Sequence, residues 1–189
     1  MELSDEALVQ QAIGLNDLGA FEQLVRRHQP RILMLQRRFS GDRALAEDLS
    51  QETFLRAWRK LDSFRGTGRF SAWLAKLAYN VFLQHVRKTG DRKQDISIDG
   101  DEITELAMSQ PGAIDELPDL PRLLSVLSYQ EQLVIVLNYG HGLSNSEIAQ
   151  VLDIAPGTVK SQIHRAKDKI RQRFSITPDA DIPAAGAAR

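Results

Sequence analysis

The 189-residue sequence contains no cysteine, which excludes disulfides, thiol nucleophiles and cysteine-ligated zinc within the chain. It also lacks any apolar run near the roughly 18 residues that would suggest a membrane-spanning helix. The acidic opening MELSDEALVQ has neither the basic nor the apolar region of a signal peptide. A soluble cytoplasmic chain without membrane insertion is the expectation. Runs of alternating strand pattern are missing too, whereas helical periodicity is pervasive. Histidines are few and scattered (His28, His85, His141, His164), and no metal-ligand spacing appears, so no metal, cofactor or catalytic residue is expected. Aromatic residues make up only 6% of the chain, which makes the stretch FRGTGRF at 64–70 conspicuous: it pairs two phenylalanines and two arginines with two glycines.

What is present divides the chain. The hydrophobic fraction of 42% suffices for packed cores in one domain or two small ones. The formal net charge of −1 conceals an uneven distribution. Residues 160–173 carry Lys160, Arg165, Lys167, Lys169, Arg171 and Arg173 against Asp168 alone, while 91–116 carry eight acids against Arg92 and Lys93. Helices are expected over 4–15, 17–39 with a kink at Pro30, 42–61 and 71–88. The stretch TGDRKQDISIDGDEITELAMSQPGAIDELP then loses the period and gains turn formers and acids. The fold class is therefore all-α, with two small helical domains, 1–88 and 119–175, joined by a flexible acidic linker at 89–118 with room for a short helix near 103–108. A disordered tail at 176–189 follows.

The second unit carries the most specific local signal. In GLSNSEIAQVLDIAPGTVKSQIHRAKDKI, Ser144 and Glu147 form a capping box that starts a helix near Asn145. Residues 153–155 leave space only for a tight turn, and Pro156 suits the first turn of the next helix. Two helices joined so closely make a helix-turn-helix. On the second of them, Val159, Ile163, Ala166 and Ile170 form the apolar stripe, while Ser161, His164 and Arg165, with Thr158 and Lys160 at the leading end, project outward. In such motifs the leading residues of the second helix reach base edges and basic residues meet phosphates. A solvated helix hairpin would show the same pattern.

In the first unit, Asp48, Gln51, Glu52, Leu55 and Arg59 share one stripe of the 42–61 helix, opposite Ala46, Leu49, Phe54, Ala57 and Leu61. The second set is core. The first fits either ordinary solvation or docking, and periodicity leaves both open. On the next helix Trp73, Lys76, Asn80, Gln84 and Arg87 recur along one face, with Leu74, Ala78, Val81, Phe82 and Val86 on the other. An aromatic, amides and cations on one face suit nucleic acid. A half-buried tryptophan beside solvated cations is the competing reading.

The run AEDLSQETFLRAWRKLDSFRGTGRFSAWLAKLAYN resembles region two of extracytoplasmic-function sigma factors, the small specificity subunits of bacterial RNA polymerase, and GLSNSEIAQVLDIAPGTVKSQIHRAK resembles their region four. Both occur in the right order, from about residue 20 to 174. The resemblance implies that Asp48, Gln51, Glu52, Leu55 and Arg59 bind core polymerase at the clamp of its largest subunit. It implies contact with the minus-ten promoter element by Arg65, Gly66, Thr67, Gly68, Arg69, Trp73, Lys76, Asn80, Gln84, Arg87 and Lys88. The minus-thirty-five element falls to Thr158, Lys160, Ser161, His164, Arg165 and Lys167. Implied partners are core RNA polymerase, through clamp and flap, promoter DNA and an anti-sigma factor.

In this family the loop between the two region-two helices captures a base flipped from the non-template strand, and FRGTGRF occupies that place. Extrusion costs a few kcal/mol, which stacking and edge contacts must offset. Arg65 and Arg69 can hold flanking phosphates, while Phe64 and Phe70 either stack on DNA or anchor the loop ends in the core. The acidic linker either threads the polymerase cleft, as in related sigma factors, or acts as a solvated spacer. Gln84 departs from a common aspartate, and LSYQEQ at 127–132 departs from the usual leucine-proline start. A stand-alone helix-turn-helix regulator is the alternative function; it leaves 48–80 unexplained.

Overall fold

The computed structural model describes residues 3–90 and 123–174. The expected linker helix near 103–108 and the tail at 176–189 lie outside them. Among the described residues the regular structure is entirely helical. Close contacts divide the chain into two compact units, Met1–Ala107 and Met108–Arg189.

In the first unit, α1 (Asp5–Gly14) begins where the Ser4 hydroxyl accepts from the Ala7 amide, and α2 (Leu18–Ser40) begins where the Asp17 carboxylate accepts from Gly19 and Ala20. Each cap satisfies amides that the first turn leaves without a helical partner. Helix α2 runs through Pro30 as one element and ends at Gly41, whose φ of 65° is the left-handed cap that glycine adopts without steric cost. Asp42 caps α3 (Arg43–Arg59). A 3₁₀ turn, Leu61–Ser63, and the glycine-rich loop lead into α4 (Phe70–Gly90), which starts and ends slightly outside the expected 71–88.

These helices enclose one core of Leu8, Leu24, Leu35, Phe39, Leu49, Leu74 and Phe82, all buried. Each such side chain stabilises the unit by about 1.5–3 kcal/mol. Gln36 is also fully buried; its amide donates to the Thr53 hydroxyl at 3.1 Å and the Ala78 carbonyl at 3.0 Å, tying α2 to both α3 and α4. Those ties fix the rotational setting of α3 and α4, and hence which of their stripes remain outside.

In the second unit, α5 (Tyr129–Ile135) passes into a π turn, Val136–Gly140. Helix α6 (Asn145–Leu152) and α7 (Pro156–Phe174) follow. Ser144 and Glu147 form the expected capping box. Ser128 and Glu131 form a second one at the start of α5, within the LSYQEQ segment. Asp153 closes α6 in the left-handed conformation at φ 57°. On α7, Val159, Ile163 and Ala166 are buried as expected, but Ile170 is only half-buried and Gln162 is buried in its place among the interior positions. Helix α7 is nineteen residues long and packs against two much shorter helices, α5 of seven residues and α6 of eight.

Candidate polymerase-docking face and nucleic-acid interface

Helix α3 buries Ala46, Leu49, Phe54 and Ala57 and leaves Asp48, Gln51, Leu55 and Arg59 exposed. Leu55 is 53% exposed, an apolar side chain in the middle of a polar stripe. Such a residue gains free energy only when a partner covers it. Glu52 is half-exposed and accepts from Arg56 Nε at 2.6 Å. Arg56, which the sequence patterns do not single out, also donates to Gln84 of α4 and so joins the α3 stripe to the α4 face.

On α4, Lys76, Asn80, Gln84, Arg87 and Lys88 are exposed, while Leu74, Ala78, Val81 and Phe82 are buried and Val86 is half-buried. Trp73 is half-buried: its ring lies 5.7 Å from Phe64 and 5.4 Å from Phe70, centroid to centroid. Both phenylalanines are buried, Phe64 to 8% and Phe70 to 1% exposure. They therefore anchor the loop ends, and of the two readings open for them the stacking of either ring on DNA is the one the burial disfavours. Between the anchors Arg65, Gly66, Thr67, Gly68 and Arg69 are all exposed. Gly66 takes φ 67°, a conformation that side chains disfavour, and nothing lies within 4 Å of a Cβ built at 66 or 68. Open space over two glycines is room for a ligand to approach the backbone.

The anchored end is keyed further into the unit. Phe70 meets His28 edge-on at 5.3 Å, and His28 Nε2 lies 2.8 Å from Asp5 Oδ2. Arg27 donates to the other carboxylate oxygen of Asp5 at 2.6 Å. Burial pushes the His28 imidazole below its ordinary value of 6.5, against the pull of Asp5. In its neutral form the ring must carry its proton on Nε2 to bond the carboxylate, which can only accept.

On α7, Thr158, Lys160, Ser161, His164 and Arg165 are exposed, and the Ser161 hydroxyl donates to the Thr158 carbonyl at 2.9 Å. His164 lies 3.3 Å from Asp168. Lys167 is half-buried and differs from its neighbours, since its ammonium sits 5.3 Å from the centre of the Tyr139 ring. The inner face is held by Gln162, which donates to Gln130 at 2.9 Å, and by Lys169, which donates to the buried Glu131 at 2.8 Å. Neither tie was evident in the helical wheel, because the polar partners sit some thirty residues away on α5. Among the described residues no group of acidic or histidine side chains could hold a metal ion, and no helix is long and apolar enough to cross a membrane.

Residues 24–92 match the family Sigma-70 region 2, and residues 117–170 match Sigma-70, region 4. The ECF RNA polymerase sigma-E factor of Salmonella typhimurium is 33% identical over 184 residues, spanning 89% of this chain and 93% of that protein. The chain belongs to the ECF sigma factors of RNA polymerase. The ECF sigma factor SigE of Mycolicibacterium smegmatis is likewise 33% identical over 82% of this chain, which spans 61% of that longer relative. Among solved structures, the sigma factor RpoE in complex with the anti-sigma factor NepR from Bartonella quintana aligns with a TM-score of 0.61 and 27% identity, covering 82% of this chain and 97% of that one. CnrH in complex with the cytosolic domain of CnrY gives the same TM-score and identity over 90% of this chain and 97% of its own. ECF sigma factors are non-enzymatic initiation factors that direct RNA polymerase to promoters, and a region 2 module over 24–92 sets aside the stand-alone regulator.

Proposed function

We propose that this sigma factor divides its work among three exposed faces. Helix α3 docks on the clamp of the largest polymerase subunit through Asp48, Gln51, Glu52, Leu55 and Arg59, and the second unit reaches the flap. The 65–69 loop, together with Trp73, Lys76, Asn80, Gln84, Arg87 and Lys88, takes the minus-ten element and helps to melt it. Helix α7 takes the minus-thirty-five element in the major groove through Thr158, Lys160, Ser161, His164, Arg165 and Lys167. The working boundaries are 1–88 for polymerase and minus-ten binding, 89–118 for the acidic linker, 119–175 for minus-thirty-five binding and 176–189 for the tail. The protein acts in the cytoplasm, has no catalytic role and is held in check by an anti-sigma factor.

The observation that carries this division is the loop. Two buried phenylalanines hold its ends while the five residues between them are exposed, two of them cationic, with open space over Gly66 and Gly68. Anchored ends with an exposed cationic middle suit capture of an extruded base, because the ordering cost of the loop ends is met before DNA arrives. The test is transcription by reconstituted holoenzyme from a duplex promoter and from the same promoter with a pre-melted bubble. Arg65→Ala should impair the duplex template and largely spare the bubble. Equal loss on both templates would remove the loop from the melting step.

A further inference from the structure

Two neighbouring residues of α2 grip one carboxylate at the start of α1. Arg27 Nη1 donates to Asp5 Oδ1 at 2.6 Å, and His28 Nε2 lies 2.8 Å from Asp5 Oδ2, so each carboxylate oxygen is held by a different side chain. Arg27 Nη2 also donates to the Leu3 carbonyl at 3.0 Å, which fixes the start of α1 from a second point. The Asp5 side chain is only 20% exposed, so water competes weakly for these charge-assisted bonds. On its other side the buried imidazole meets Phe70 at 5.3 Å and 61°. An imidazole with no bond at Nε2 can turn about its Cβ–Cγ bond, whereas one tied to a fixed carboxylate keeps its plane and with it the edge-on contact. Phe70 closes the glycine-rich loop, opens α4 and packs on Phe64 at the far end of the loop. Helix α1 also packs against the 3₁₀ turn Leu61–Ser63 that leads into Phe64. It thus touches the entry to the loop directly and the exit through His28.

We propose that Asp5 and His28 are positioning residues for promoter melting: the clip between α1 and α2 sets the placement of Phe70 and Phe64, and through these two anchors it tunes how readily the 65–69 loop takes an extruded base. The inference rests on the assignment of that loop to the minus-ten element. Neither residue has to touch DNA. A binding constellation works when its groups are held to within about 0.5 Å, and contacts behind the site supply that precision. The loop itself carries two glycines and cannot supply it, so the precision has to come from its ends.

The test uses holoenzyme made from core polymerase and the full chain, and reads the ratio of transcription from a duplex promoter to that from the same promoter with a pre-melted bubble. The ratio is independent of how much of each variant is active. Asp5→Ala should lower it by about threefold to tenfold, the range over which residues that act through their neighbours shift a coupled step. His28→Phe keeps a ring beside Phe70 but offers Asp5 no donor, and should lower it likewise. Leu35→Ala empties a buried site two turns further along α2 and controls for lost stability; it should leave the ratio in place. In a triple Arg65→Ala, Thr67→Ala, Arg69→Ala variant the ratio should fall, and adding Asp5→Ala should lower it no further, because the clip then has no loop contacts to place. A wild-type ratio in either Asp5→Ala or His28→Phe, an equal fall in Leu35→Ala, or an undiminished effect of Asp5→Ala in the triple background would overturn the proposal. If the triple variant itself keeps the wild-type ratio, the assignment of the loop fails and the proposal falls with it. A fall in the triple variant beside an unchanged Asp5→Ala rejects the clip alone.

Discussion

Phe64 and Phe70, at the two ends of the glycine-rich loop, meet edge-to-face with ring centroids 5.5 Å apart and an interplanar angle of 87°. The loop between them is therefore pinned at both ends by one aromatic contact, with Trp73 and His28 packed around it. Stability and DNA contact should separate cleanly across these seven residues. Phe70→Ala should destabilise the first unit by roughly 3–5 kcal/mol, the usual cost of emptying a buried aromatic site. Arg65→Ala, at an exposed position, should change stability by less than about 0.5 kcal/mol. Urea unfolding followed by tryptophan fluorescence checks both, since Trp58 and Trp73 both lie in this unit. A large stability loss in Arg65→Ala would mean that the loop is structural throughout.

His28 gives the same unit a pH dependence with a definite sign. Burial lowers its pKa below 6.5, Asp5 opposes that, and Arg31 and Arg27 add to the lowering. The unfolded chain therefore takes up a proton that the folded chain refuses, and stability falls as the pH falls. The contribution is fully present above about pH 6.5 and declines below it, toward the depressed folded-state value. His28→Gln retains a donor for Asp5 but cannot titrate, so its unfolding free energy should vary less across that window. Identical pH dependence in wild type and variant would place its source elsewhere.

Glu131 anchors the second unit. Burial raises its pKa, but hydrogen bonds from Lys169 and from the amide and hydroxyl of Ser128 outweigh that and hold the carboxyl below its ordinary 4.5. It is thus ionised at neutral pH, serving at once as the capping residue of α5 and the partner of Lys169 on α7. Glu131→Ala removes both interactions and should cost about 2 kcal/mol, with much of the lysine contribution discounted because Lys169 is half in solvent. Thermal unfolding by circular dichroism measures it. A change below about 0.5 kcal/mol would show that helix packing alone holds α5 against α7.

Much of this was legible in the sequence, for identifiable reasons. The exposed stripes of α3 and α4 and the leading face of α7 follow from helical periodicity, because one buried face dictates the opposite one. Ser144 and Glu147 are readable as a cap from their spacing, and Ser128 and Glu131 carry the same spacing but sit in a segment notable chiefly for its missing proline. Pairings between distant segments were not legible. Arg56 and Gln84 are 28 residues apart, Glu131 and Lys169 38 apart, and only the packing of two helices brings each pair together. Ile170 follows the α7 period yet is half-buried, since period reports a face and not how far along the helix its neighbours cover that face. The double role of Trp73, half in the aromatic anchor and half in solvent, likewise depends on where the loop returns.

The α7 face proposed for the minus-thirty-five element should behave independently of polymerase docking. Arg165 is exposed on α7, and Arg165→Ala should weaken recognition of the minus-thirty-five element by about 1–3 kcal/mol if the guanidinium meets a base, with no change in core binding. Competition between promoters with intact and scrambled minus-thirty-five elements reads the first quantity. A uniform loss on both promoters would instead mark Arg165 as a phosphate contact.

The most direct measurement of the central claim is a titration of the full-length protein against core RNA polymerase without DNA, alongside Asp48→Arg and Arg165→Ala. Asp48 is exposed on α3, on the stripe assigned to the clamp, so reversing its charge should sharply weaken binding while Arg165→Ala binds like wild type. Equal binding by all three proteins, or equal loss in both variants, would contradict the assignment of α3 to polymerase and α7 to DNA.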